Sequence, residues 1–166
     1  MQAMNNNSEN LSKEIDRVFP LIEMPSPEKI SHHLRGCSTC EHLAADLENY
    51  KNKPIGADVI RELHQEMSHL SAEAWQWLLP YYLKYCLTPE ANYSCFETEF
   101  LIYSLAPVKE FEADVTSRLC FLNTDQIRVV RDFMIYLSSI DHWRNYCPVE
   151  IGRGIAFLSG FLKKGS

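Results

Sequence analysis

The chain has 166 residues, 46% hydrophobic and 23% charged, a composition that excludes a disordered or collagen-like chain and matches one globular domain. A formal net charge of −6 disfavours nucleic acid, whose binding is driven by basic side chains that release phosphate counterions, and favours a basic partner. No run approaches the roughly 18 uninterrupted apolar residues of a membrane span, and the polar opening around Asn5 and Ser8 lacks the order of a secretion signal, so a cytoplasmic protein with reduced thiols is expected.

In chain order, residues 1–8 read as a disordered tail and residues 9–164 as a single helical domain. Leu11, Ile15, Val18 and Phe19 repeat at helical spacing and stop at Pro20, which predicts a short amphipathic helix. A connector through Pro25 and Pro27 follows, with one turn of helix opening at Pro27. Ser38 with Glu41 is a capping pattern ahead of Leu43, Leu47 and Tyr50, predicting a helix over residues 39–51. Val59, Ile60 and Leu63 mark a short helix after Pro54 and Gly56.

Ser71 suits the N-cap of a helix with a wide apolar stripe, Trp75, Leu78, Leu79, Tyr82, Leu83 and Cys86, kinked or broken at Pro80. Residues 96–105 predict another helix before Pro107, and residues 111–122 stay open between helix and extended chain. Asn123 with Gln126 opens the clearest helix, carrying Ile127, Val130, Phe133, Met134 and Leu137. Pro148 begins a last one, weakened by Gly152, Gly154 and Gly160 at about 1 kcal/mol each. With no period-2 strand and no internal repeat, the expected fold is all-α, an irregular single-domain bundle of about six to eight helices.

One cluster has ligand-like spacing: His33, three residues, Cys37, two residues, Cys40, with His32 and His42 adjacent. Two thiolates separated by two residues grip one Zn2+ through a tight turn, and an imidazole four positions earlier reaches the same ion. The expected ligands are His33, Cys37, Cys40 and His42, with His32, His64 and His69 as other sources of a fourth. The competing reading makes the cysteines a partly buried turn pair and the histidines surface. Thioredoxin-like redox chemistry is disfavoured, because such a pair follows a strand and none is predicted. His64 and His69, about 140° apart on a helix, do not form a metalloprotease pair. Cys86, Cys95, Cys120 and Cys147 read as small core residues, and Glu97, Glu99, Glu110, Glu112 and Asp114 as solvated surface.

Trp77, Tyr81 and Tyr85, spaced by four, form a second face of the Pro80 helix. Packing in the core is the ordinary explanation of such aromatics. If exposed, they are the candidate partner-binding residues, since Trp and Tyr dominate binding hot spots.

The segments Leu70–Trp75, Leu79–Leu83 and Leu122–Gln126, the last leading to Phe133, resemble a bacterial helical family catalogued only as a domain of unknown function. That resemblance covers residues 8–137 and implies a helical fold without an activity. Residues 33–40 separately resemble the zinc motif of anti-sigma factors, which is also followed by a helix; that family takes its remaining ligand from well upstream, where this chain has no Cys or His before His32.

The expected function is non-enzymatic protein binding, of the immunity type in which an acidic helical protein covers a basic toxin partner. The alternative is a zinc-stabilised or redox-sensing regulatory module built on the His33, Cys37 and Cys40 motif. The third is an enzyme using acidic or histidine side chains in a helical cleft.

Overall fold

The computed structural model describes residues 2–32, 36–51, 53–92 and 96–164. Over these it is all-α. The helices are α1 (Gln2–Val18), α2 (Pro27–Ile30), α3 (Ser38–Glu48), α4 (Ala57–Leu63), α5 (Ala72–Cys86), α6 (Glu97–Leu105), α7 (Glu112–Arg118), α8 (Thr124–Ser139), α9 (Asp141–Tyr146) and α10 (Pro148–Lys164). Turns of 3-10 helix lie at His64–Glu66, Glu90–Asn92 and Lys109–Phe111. Among the described residues there is no strand; Ser31 and Leu70 make an isolated antiparallel bridge. No described helix is long and apolar enough to cross a membrane.

The surest helix in the sequence is also central to the bundle. Asn123 Oδ1 accepts the Gln126 N–H at 3.0 Å and Gln126 Oε1 accepts the Asn123 N–H at 2.9 Å, a complete capping box. Gln126 is buried, and its Nε2 donates to the Val18 carbonyl at 3.1 Å, so the residue that starts α8 also satisfies the end of α1. Ile127, Val130, Phe133, Met134 and Leu137 are all buried, as their spacing requires.

Helix α10 packs on α8 more extensively than any other pair of elements. Gly154 permits the approach: a Cβ there would lie 2.6 Å from Met134 Cε and 3.2 Å from the Leu105 carbonyl at the end of α6. The other half of the core is built on α5, whose Trp75, Leu78, Leu79, Tyr82 and Leu83 are essentially inaccessible. Its polar ends are satisfied, Trp75 Nε1 donating to the Met67 carbonyl at 2.9 Å and Tyr82 Oη to the Glu97 carbonyl at 2.7 Å.

Several local expectations are revised. Helix α1 begins at Gln2 rather than after a disordered tail; residues 2–8 contain no Pro or Gly, so a helix nucleated further along propagates back through them. Helix α3 starts at Ser38 with Cys37 at its N-cap, so Ser38 is not the cap, and it ends at Glu48. Pro80 does not break α5, because the stripe on both sides of it is buried and outweighs one missing backbone donor. The stretch after Phe111 forms α7, and α9, of six residues, is too short to show a period in the sequence.

Asn123→Ala is expected to cost about 1 kcal/mol. Gln126→Ala should cost more, about 1–3 kcal/mol, because it also strands the Val18 carbonyl. Urea denaturation of both variants checks the order.

Candidate metal centre

The centre is assembled by backbone geometry before any side chain is considered. At the Ser31–Leu70 bridge, Ser71 N–H donates to the Ile30 carbonyl at 2.8 Å and His32 N–H to the His69 carbonyl at 3.1 Å. Ile30 and Leu70 are fully buried beside it, and Ser71 Oγ donates to the Lys29 carbonyl while accepting the Ala74 N–H to cap α5. The end of α2 is thus fastened to the chain entering α5. Further on, Gly36 has φ +82°, a left-handed conformation that glycine adopts at no steric cost, and leads the chain into α3.

Cys37 then occupies the N-cap of α3 and Cys40 its first turn. Cys37 is half-buried and Cys40 is buried. The Cys40 backbone N–H, joined by that residue's thiol and by the Thr39 N–H, holds the Cys37 thiol below the usual cysteine range, against the opposing effects of burial and Glu41. His69, held by its own N–H donating to the Glu66 carbonyl at 2.9 Å, brings Nδ1 to 3.9 Å from Cys40 Sγ.

The ligand atoms of Cys37, Cys40 and His69 all lie within 4.8 Å of one another, so the three can hold a metal ion. A tetrahedral zinc ion with ordinary bond lengths needs sulfur–nitrogen and sulfur–sulfur separations of about 3.6 and 3.8 Å, which small side-chain rotations reach from here. On the far side of the imidazole, His69 Nε2 is 3.7 Å from Glu66 Oε2, the side on which the orienting partner of a ligating histidine sits.

Of the ligands expected from the sequence, Cys37 and Cys40 come together. His33 lies outside the described residues. His42 is exposed on α3 and outside the group, because a position two residues beyond Cys40 is turned about 200° round the helix. His69, named only among several sources of a further ligand, is brought in from 29 residues away. His32 contributes its backbone to the bridge, and His64 stacks edge-on against Phe100 at 4.9 Å between centroids.

A family model for DUF6714, described as a family of unknown function, matches residues 38–148. The chain belongs to that family. The DUF6714 match includes Cys40 and His69 and begins one residue after Cys37. No curated protein and no solved structure matches the chain.

The remaining candidates are placed as follows. The aromatic face proposed for partner contact is largely interior: Trp77 and Tyr85 are 3% and 7% exposed, and only Tyr81 is half-exposed. The physical reason is that α5 is packed by α1, α2, α4 and α7, so its second face is covered as well as its first. Cys86 and Cys147 are buried, Cys120 is exposed instead of forming core, and Cys95 lies outside the described residues.

Contrary to the surface position its sequence context suggests, Glu97 is 2% exposed in the first turn of α6, with Arg61 Nε at 3.6 Å from its Oε1. The helix N-terminus and the guanidinium offset the cost of burying that carboxylate. Nothing in the local pattern distinguishes it from its acidic neighbours.

Trp77→Ala should cost about 3–5 kcal/mol, the range for emptying an aromatic site in a core, whereas Tyr81→Ala should cost less than half as much. Thermal and urea denaturation of the two variants side by side tests this difference in burial.

Proposed function

We propose that this protein is a zinc-stapled helical module that works by binding rather than catalysis, the ion clamping the α2–α3 arm to the segment leading into α5. The observation that carries the reading is the convergence of Cys37, Cys40 and His69, the one group of three ligating side chains among the described residues. Two thiolates and an imidazole form a soft donor set suited to zinc rather than to magnesium or calcium. The lowered Cys37 thiol favours the ligating thiolate.

Such a staple suits this part of the chain. Helix α2 is four residues long and α3 has only Cys40, Leu43 and Leu47 buried, so the arm has little apolar surface with which to hold itself. A metal that binds only the folded arm stabilises it by mass action, by about 4 kcal/mol when free zinc is a thousandfold above its dissociation constant. The sequence offers His33 for the fourth position, and its variant is part of the test.

Protein purified without chelator is expected to contain about one zinc per chain. His69→Ala and Cys37→Ser should lose the metal and lower the melting temperature by roughly 10 °C, His42→Ala should retain both, and His33→Ala should weaken retention if that residue completes the tetrahedron. Plasma emission spectrometry and calorimetry provide the readouts. Metal-free protein that neither takes up added zinc nor changes its melting temperature on adding it defeats the reading.

A further inference from the structure

Arginine pairing across the molecule is uneven. Arg17, Arg61, Arg128, Arg131 and Arg144 each meet an Asp or Glu carboxylate. Arg118 and Arg153 are the two arginines among the described residues that enter no such pair. Both line one cleft of about 540 Å³ between the His64–Glu66 turn, the end of α6, α7 and α10.

Neither guanidinium is fully solvated. Arg118 is half-buried, and burial pushes it below the usual arginine range, opposed only by Asp114 one turn earlier on α7. Arg153 is also half-buried, and its Nε donates to the Ala106 carbonyl at 2.8 Å. That bond leaves the terminal N–H groups of the fork for another acceptor. The placement follows from Gly154, whose missing side chain lets α10 approach the carbonyl end of α6.

The walls have a different character. Phe100, Tyr103, Val108 and Phe111 line the same cleft, and Phe111 and Tyr103 are 54% and 46% exposed. Charged side chains on the lining are Arg118, Arg153 and Asp114, a local excess of one positive charge in a chain of net charge −6. That balance suits a monoanion better than a phosphate dianion, and the aromatic wall suits an apolar body attached to it. The volume lies within the roughly 300–1,000 Å³ of small-molecule sites.

We propose that this cleft binds a small organic acid, the guanidinium groups of Arg118 and Arg153 taking its carboxylate while an aromatic or branched apolar body lies against Phe100, Tyr103 and Phe111. Planar arginine forks match a carboxylate through paired hydrogen bonds. The inference is independent of the metal reading, since it uses none of Cys37, Cys40 and His69.

The test is isothermal titration of the full chain with 4-phenylbutyrate, with 4-phenyl-1-butanol, which has the same body without the charge, and with acetate, which has the charge without the body. The acid should bind at least about tenfold more tightly than either control, and Arg118→Gln and Arg153→Gln should each weaken it about tenfold or more. Because Arg153 also bonds the Ala106 carbonyl, amide chemical-shift mapping of the unmutated protein provides a second measure, with shifts expected at Phe100 and Phe111. Equal binding of acid and alcohol, no detectable binding of the acid, unchanged affinity in Arg118→Gln, or shifts confined elsewhere would overturn the proposal. A short peptide with a C-terminal phenylalanine carries the same chemistry on a chain end. If it bound more than about tenfold tighter than the free acid, the cleft would belong to a partner's terminus and the small-molecule assignment would fall.

Discussion

Two backbone hydrogen bonds, from Ser71 N–H to the Ile30 carbonyl and from His32 N–H to the His69 carbonyl, fix where Cys37, Cys40 and His69 can converge. Without them Cys37 and Cys40 would sit on a weakly anchored arm and His69 on a separate turn. The pairing is held by apolar burial on both sides, Ile30 from α2 and Leu70 from the chain entering α5. The backbone groups at that point satisfy one another across the bridge. The three candidate side chains are therefore brought to within 4.8 Å of one another with the help of main-chain pairing and core packing.

The stretch from His64 to Leu70 serves more than one part of the molecule. Its end carries His69 to the cysteines, while His64, Met67 and Ser68 line the cleft that contains Arg118 and Arg153. It has little regular structure, a 3-10 turn followed by a hydrogen-bonded turn, and it is held by the buried Trp75 side chain, which donates to the Met67 carbonyl. The first side chain of the α5 stripe thus fixes a loop that faces two different parts of the molecule.

Much of the architecture was legible. The Asn123 and Gln126 pair, the Ser71 cap, the prolines at 27 and 148 and the apolar periods of α5 and α8 act through neighbours a few residues apart, so their effects appear in a short window of sequence. Less legible were features where distant packing overrides a local preference: the unbroken course of α5 through Pro80, the burial of Trp77 and Tyr85, and the desolvated Glu97. The Cys37 and Cys40 pair was visible from its spacing, but the choice among the histidines was not. His42 is nearest in sequence and turns away, whereas His69 is 29 residues from Cys40 and faces it.

From its residues alone, this chain determined an all-helical fold, the starts of its main helices, the thiol pair and a net negative charge, because each depends on composition or on contacts within a turn or two of the backbone. Tertiary structure decided which imidazole joins the thiols, which aromatics are covered, and that Arg118 and Arg153 share one cleft without a carboxylate pair. Those outcomes depend on how helices far apart in the chain lie against one another, which is settled by the joint burial of many side chains and by no single stretch of sequence.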